Sequence, residues 1–179
     1  MTVMPSQQPV QSLSRLALYR SQMERLFVAG SSVFTIRENA GPAKEMLAVT
    51  ITRDDQVEWT YQMASWRPLA VGHGCGSAYL WTARDLVILP GVPGEDPVAL
   101  SVDEDLLVVF RTAAGWVLVC ETSVRLVDLR GEISRIELAD TAERVWWAAG
   151  ALQIEDASGM TAAINVTGGR LAVATPGQP

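Results

Sequence analysis

A short glycine-rich segment holds the residues best suited to chemistry. His73 is the only histidine of the chain, and Cys75 follows two positions later, within residues 72–77. A thiol and an imidazole can act together in nucleophilic catalysis, and glycines let backbone N–H groups converge on an anion. The segment matches neither the Gly-x-Ser-x-Gly elbow nor the phosphate-binding P-loop. A hydrolase-type site at His73 and Cys75 is therefore one hypothesis, and a plain flexible connection between two sheets is the other.

Acidic residues form a second group. Glu95 and Asp96, followed by Asp103, Glu104 and Asp105, occur with no basic residue between them. If the two loops that carry them lie at one end of adjacent strands, their field attracts cations or an arginine-rich partner. The Asp-x-Asp/Asn-x-Asp/Asn-Gly spacing of a calcium loop is absent, so no metal site is predicted. Either these five residues bind a partner, or they form an acidic rim that contacts only water.

Two adjacent tryptophans, Trp146 and Trp147, lie in a segment predicted to be a strand. Consecutive side chains of a strand point to opposite faces, so both indoles are buried only if a packed layer covers each face. If this strand belongs to the last structural unit, one indole is exposed. An exposed indole is a hot spot for a protein partner, for self-association or for a sugar.

The strands that must position these residues occur in a repeated unit. A strand–turn–strand–turn–strand unit occurs twice between residues 106 and 171. Its strands cover residues 107–110, 116–120 and 124–129 in the first copy, and 145–148, 151–154 and 160–164 in the second. One such meander cannot bury both of its faces alone. The repeat therefore predicts that units stack side by side and hide their apolar faces between them.

The earlier part of the chain shows the same organisation. Alternating apolar and polar residues predict strands at 32–37, 47–52 and 57–62, and a shorter unit spans residues 78–102. The layout resembles the blades of a β-propeller in architecture alone. We predict a mainly-β fold of repeated antiparallel meanders in a small or partial propeller-like ring. A β-sandwich or partly open barrel made of the same meanders is the alternative.

Near the N-terminus the apolar period changes. Apolar residues recur there at spacings of three and four, at Leu16, Tyr19, Met23 and Leu26. This pattern predicts one amphipathic α-helix over residues 13–28. The domain is expected to span residues 12–174, with flexible ends at 1–11 and 175–179. An incomplete ring has an exposed sheet edge, which this helix or a second copy of the chain would cover.

Composition narrows the functional classes. The chain has 179 residues and a formal charge of −6, and Lys44 is its only lysine. An acidic surface repels phosphate, so nucleic-acid binding is not expected. No signal peptide and no run of about twenty apolar residues is present, so the prediction is a cytoplasmic protein that does not enter a membrane. Cys75 and Cys120 are then reduced thiols, and Cys120 is expected to be a core residue.

The function predicted from these observations is a non-enzymatic protein-binding module without a cofactor. One version is an acidic inhibitor or immunity-type protein that docks on a basic toxin or enzyme, since charge complementarity speeds association. Two alternatives remain open. One is a hydrolase-type enzyme that uses the segment of His73 and Cys75. The other is a structural subunit that completes its sheet by homodimerisation.

Overall fold

The structure is a computed structural model, and it describes residues 24–41, 43–64, 66–148 and 150–174. Sixteen strands occur in these ranges, in four sheets. Sheet I contains β1 (Glu24–Ala29), β2 (Ser32–Ala40), β3 (Met46–Arg53) and β4 (Val57–Ala64). Sheet II contains β5 (Ala70–Gly74), β6 (Ser77–Trp81), β7 (Asp85–Leu89) and β8 (Val98–Ser101). Sheet III contains β9 (Leu106–Thr112), β10 (Gly115–Cys120), β11 (Ser123–Asp128) and β12 (Gly131–Glu137). Sheet IV contains β13 (Ala142–Ala148), β14 (Ala151–Asp156), β15 (Thr161–Thr167) and β16 (Arg170–Val173).

Each sheet consists of four consecutive strands, and every strand pairs antiparallel with its neighbours in chain order. This is the arrangement of a β-propeller blade. Because strand direction alternates, the turn after the first strand of every sheet lies at one end of the molecule, which we call the upper end. The connection from one sheet to the next lies at the opposite, lower end. None of the described residues forms a helix long and apolar enough to cross a membrane.

The sheets stack face to face in chain order. Buried apolar clusters fill the interfaces between sheets I and II, II and III, and III and IV. Sheet III is covered on both faces, and every residue of β10 is buried. Leu118 packs towards sheet II, while its neighbours Val117 and Val119 pack towards sheet IV. This two-sided burial explains why residues 116–120 form a continuous apolar run instead of alternating.

The end sheets have one covered face each. In β3 the buried residues Val49 and Ile51 alternate with the partly exposed Thr50 and Thr52. Sheet IV shows the same period of two in β14, where Leu152 and Ile154 belong to the cluster against sheet III. No buried apolar cluster within the described ranges joins sheet I to sheet IV. The four sheets of the described ranges therefore form an open series with two outer faces.

Backbone hydrogen bonds repeat from sheet to sheet at the lower end. The N–H of Leu106, at the start of sheet III, donates to the carbonyl of Ala83 in sheet II (2.6 Å). One sheet further, the N–H of Ala142 donates to the carbonyl of Glu121 (2.8 Å). In both cases the first residue of a sheet binds the central turn of the preceding sheet. The repeated unit is therefore visible in the backbone hydrogen bonds between sheets as well as in the spacing of apolar residues.

At the upper end, three glycines bring sheets I and II into close backbone contact. A Cβ on Gly91 would lie 1.9 Å from the carbonyl oxygen of Gly76, and a Cβ on Gly30 would lie 2.5 Å from that of Gly91. Gly30 also has a φ of +59°, in the left-handed region that favours glycine. The three turns can therefore meet only because Gly30 and Gly91 carry no side chain, whereas a Cβ on Gly76 would meet nothing within 4 Å.

The predicted mainly-β fold of repeated antiparallel meanders is confirmed, with four strands in each unit instead of three. The predicted helix over residues 13–28 is wrong for Glu24–Val28, which belongs to β1. Pairing with β2 along its whole length supplies this segment with inter-strand hydrogen bonds, and Leu26 and Val28 then share one face. The rest of the predicted helix, residues 13–23, lies outside the described residues. So do the predicted flexible ends, 1–11 and 175–179.

Candidate functional site

The segment that contains His73 and Cys75 is a tight β-hairpin, not a flexible connection between two sheets. β5 pairs with β6, with His73 opposite Ala78, and the turn consists of Cys75 and Gly76. Both turn residues have positive φ, 48° and 75°, as a two-residue hairpin of the primed type requires. His73 and Cys75 are exposed, and no hydrogen bond joins them in this part of the chain. The sequence hypothesis of a catalytic pair gains no supporting contact.

Packing accounts for Gly72 of this hairpin. A Cβ on Gly72 would lie 2.4 Å from the ring of Tyr79, so glycine is needed there to accommodate the phenol. Burial raises the pKa of Tyr79. The hydroxyl of Ser77 donates to the carbonyl of Gly74 (3.1 Å), which closes the turn. Across the described ranges, no three His, Cys, Asp or Glu side chains are placed to hold a metal ion together.

The two acidic loops lie at opposite ends of the molecule. Glu95 and Asp96 are in the upper loop between β7 and β8, whereas residues 103–105 are in the lower connection between β8 and β9. The whole of β8 separates them. The condition for one combined acidic rim, that both loops lie at the same end, is therefore not met.

A buried arginine holds the upper loop in place. Arg53 is 6% exposed, and its Nη2 donates to the backbone carbonyls of Pro90 (3.5 Å) and Glu95 (2.5 Å). Its guanidinium lies over the rings of Phe34 (5.2 Å) and Trp59 (5.1 Å). Carbonyl dipoles and aromatic faces thus stabilise the cation. The loop backbone is fixed, and the side chains of Glu95 and Asp96 are left exposed.

Glu104 is bound inside the fold. Its carboxylate, in a side chain that is 12% exposed, accepts hydrogen bonds from the N–H and hydroxyl of Thr122 (2.8 Å each) and from Ser123. It also pairs with Arg125, whose side chain is 7% exposed (2.5 Å). Burial alone would raise the pKa of Glu104, but these hydrogen bonds lower it to about 2. Glu104 therefore fastens the connection between sheets II and III to sheet III.

The two neighbouring carboxylates also contact arginines of the chain. Asp103, with a side chain 75% exposed, binds Arg125, and the hydrogen bond from Arg125 lowers the pKa of Asp103. Asp105 accepts a hydrogen bond from the indole Nε1 of Trp66 (3.2 Å) and pairs with Arg84 (3.7 Å). Three of the five predicted partner-binding carboxylates are thus engaged in contacts within the chain. Glu95 and Asp96 are the two whose side chains face solvent without such an arginine pair among the described residues.

The adjacent tryptophans lie on the last described sheet and face opposite ways. Trp147 points towards sheet III, where its ring meets Phe110 edge-on with 5.8 Å between centroids. Trp146 pairs with Gln153 on the outer face. The two side chains are 44% and 39% exposed, respectively. β13 pairs with β14 along one edge, and its other edge has no partner strand in the described ranges.

Two cavities of the described surface are small. One of about 180 Å³ lies between sheets III and IV beside Met160 and Val173, and one of about 250 Å³ lies at the lower end beside Arg67 and Trp81. Pockets for small molecules usually measure about 300–1,000 Å³. Exposed surface residues, and not a deep pocket, are therefore the best candidates for recognition.

The fold defines the class of protein, which is an all-β protein built from stacked, blade-like, four-stranded antiparallel sheets. No protein-family model matches the sequence, and no curated protein matches it. Among solved structures, a crystal structure of HIRA(644-1017) is similar to this chain with a TM-score of 0.44 and 10% sequence identity. The match covers 90% of this chain and 57% of the HIRA chain. The function proposed below rests on the geometry of this chain and not on that likeness.

Proposed function

We propose that the chain is a non-enzymatic protein-binding module whose main contact surface is β13 with Trp146 and Trp147. The observation that carries this proposal is the exposure of two adjacent indoles on the last described sheet. Tryptophan is enriched among the residues that dominate binding energy in protein interfaces. Trp116 of the same chain has a different role, because it is 4% exposed and packs within the core. Trp146 lies on the outer face and has no comparable role in the packing of the sheets, while Trp147 meets Phe110 of sheet III and is still 44% exposed.

The backbone of β13 supports the same surface. An edge strand presents unpaired N–H and C=O groups, and an extended peptide can add to such an edge as a further strand. The partner would then place side chains against Trp146 on one face of the strand and Trp147 on the other. Main-chain hydrogen bonds would supply affinity, and the two indoles would supply specificity.

The charge of the chain favours a basic partner. Its net charge is −6, and Glu95 and Asp96 remain exposed on a loop whose backbone is fixed by Arg53. Such a field raises the association rate of a cationic partner, as expected for an acidic inhibitor or immunity-type protein. Asp103, Glu104 and Asp105 contribute less to this field because arginines of the chain lie beside them.

The proposal is tested by capturing partners on the immobilised wild-type chain and on two variants, Trp146→Ala and Trp147→Ala. A partner identified by mass spectrometry is then purified, and its dissociation constant is measured. Loss of a hot-spot indole costs at least about 2 kcal/mol, which corresponds to a roughly 30-fold weaker complex. Trp66→Ala is the matched control, since Trp66 is 46% exposed but lies at the lower end. A partner that binds both indole variants as tightly as wild type would refute the proposal.

The electrostatic attraction of a basic partner by Glu95 and Asp96 is tested separately, with the double variant Glu95→Gln and Asp96→Asn. Its association rate should fall and lose part of its salt dependence, while its dissociation rate should change little. An association rate that is independent of salt in the wild type would show that the acidic loop does not attract the partner.

A further inference from the structure

The outer face of sheet I carries an apolar patch on its first two strands. In the β1–β2 pair, Val28 lies opposite Val33, and Leu26 lies on the same face two residues before Val28. The alternating residue Phe34 is fully buried against sheet II, which identifies the Leu26 side as the outer face. The exposed fractions are 67% for Leu26, 64% for Val28 and 37% for Val33. Three branched aliphatic side chains are thus presented together at one edge of an end sheet.

The outer face of sheet IV presents a complementary group. Trp146 protrudes from its first strand, and Gln153 and Ala163 continue that face across the next two strands. Two charged residues of this face, Arg144 and Glu155, bind each other at 3.3 Å, and a third, Arg170, lies at the start of the last strand, β16. Covering the first two strands of the face around Trp146 would therefore not leave a lone charge without a partner, which would be costly.

The interfaces within the chain show how two such faces fit. Between sheets III and IV, Phe110 on the first strand β9 meets Trp147 on the first strand β13. The first strands of sheets II and III, β5 and β9, also approach each other. If sheet IV were followed by a sheet I in the same geometry, Trp146 would meet β1 and β2. That position is where the apolar patch of Leu26, Val28 and Val33 lies.

We infer that the partner of the Trp146 surface is a second copy of this chain, with sheet IV of each copy packed on sheet I of the other. Two identical interfaces related by a two-fold axis then close a ring. With four sheets from each copy, the ring contains eight, within the four to eight blades of closed propellers. This inference rests on the proposed function, because it names the partner of the surface proposed there. A second copy carries the same net charge of −6, so the inference replaces the basic partner and depends on apolar contact instead of attraction between charges.

The first experiment is sedimentation of the full chain and of two charge-bearing variants, Trp146→Glu and Val28→Glu. The wild type should sediment as a dimer at concentrations of about 1 to 50 µM, the range expected for a specific interface of ordinary size. Each variant should be a monomer, with the dissociation constant of the dimer raised at least about 100-fold. Trp66→Ala should remain a dimer. Circular dichroism of each variant confirms that its sheets are intact.

The second experiment mixes the two monomeric variants. Trp146→Glu retains an intact sheet I face, and Val28→Glu retains an intact sheet IV face. Their mixture should therefore regain one good interface and form a heterodimer, detectable when the two carry different tags. Contacts between like faces, sheet I on sheet I or sheet IV on sheet IV, predict no such recovery.

Three results would overturn the inference. They are a monomeric wild type in this concentration range, a dimer that tolerates either charge substitution, and a mixture of variants that stays monomeric. If deletion of residues 1–22 turned a monomeric wild type into a dimer, the N-terminal segment would be the occupant of sheet I, and the inference would again be refuted. The proposed function fails differently, because it requires that a captured partner lose affinity for Trp146→Ala. A monomeric chain that still binds a different protein through Trp146 would refute the dimer alone.

Discussion

Replacing Glu104 by glutamine removes one charge from a nearly buried ion pair and keeps the size of the side chain. In the wild type this carboxylate accepts hydrogen bonds from Thr122 and Ser123 and pairs with Arg125. Glu104→Gln leaves the Arg125 guanidinium, in a side chain that is 7% exposed, without its most buried anion. We expect a large loss of stability, because a buried charge that loses its partner keeps its desolvation penalty.

The lowered pKa gives the magnitude. The pKa of Glu104 is about 2 in the folded chain, against an ordinary value of 4.5. At 1.36 kcal/mol for each pKa unit, this difference corresponds to about 3 kcal/mol of folding free energy. Folding lowers the pKa, so the contribution is fully present above about pH 4.5 and is lost as the pH falls towards 2. The cost of Glu104→Gln should follow the same pH range.

The assay is urea denaturation of wild type and Glu104→Gln at pH 7 and at several pH values down to about 2.5. The free energy of unfolding of the variant should be lower than that of the wild type by about 3 kcal/mol at pH 7. This difference should disappear as the pH falls. Asp103→Asn is the matched control, since Asp103 binds the same arginine but its side chain is 75% exposed. Its effect should be far smaller. Equal losses for both variants, or a Glu104→Gln cost that is the same at pH 7 and pH 3, would refute the reasoning.

Two further predictions test the packing. Gly91→Ala should destabilise the chain by roughly 2 kcal/mol or more in urea denaturation, because its Cβ would meet a backbone carbonyl oxygen at 1.9 Å. Gly94→Ala, with a φ of +88° but open space around it, should cost roughly 1 kcal/mol, and equal costs would contradict the close contact. A thiol reagent should modify the exposed Cys75 quickly and Cys120 only on unfolding, since Cys120 is buried and burial raises its pKa to about 12. Two fast thiols in the folded chain would show that the core around Cys120 is open.

Apolar spacing predicts the strands that pack between sheets and fails for those that do not. Residues 107–129 and 145–164 are recognisable as a repeat because their strands face a core on one or both sides. The fourth strand of sheet III, β12, has no fully buried residue, so its polar sequence gives no signal. β5 is missed for a different reason. Gly72 makes room for the ring of Tyr79, and this tertiary requirement gives the strand the composition of a loop.

The contacts of the acidic residues could not be predicted from the sequence either. The sequence identifies the carboxylates, but it does not reveal that Glu104 meets Arg125 21 positions later or that Asp105 meets Trp66 39 positions earlier. These contacts depend on how neighbouring sheets are joined, which no local pattern encodes. For Trp146 and Trp147, strand geometry predicts that the indoles face opposite ways, and the structure adds that their sheet is the last one described.

The hydrogen bonds that link one sheet to the next at the lower end also determine where the chain tolerates change. An altered length there would break a bond such as that from Ala142 to Glu121. Among the described residues, no backbone hydrogen bond joins the upper turns of sheets III and IV to a neighbouring sheet, and a side chain at Gly131, Gly150 or Gly168 would meet nothing within 4 Å. Insertions can therefore accumulate in the upper turns of sheets III and IV while the lower end preserves the architecture. New binding specificities could then evolve at the upper end without rebuilding the scaffold.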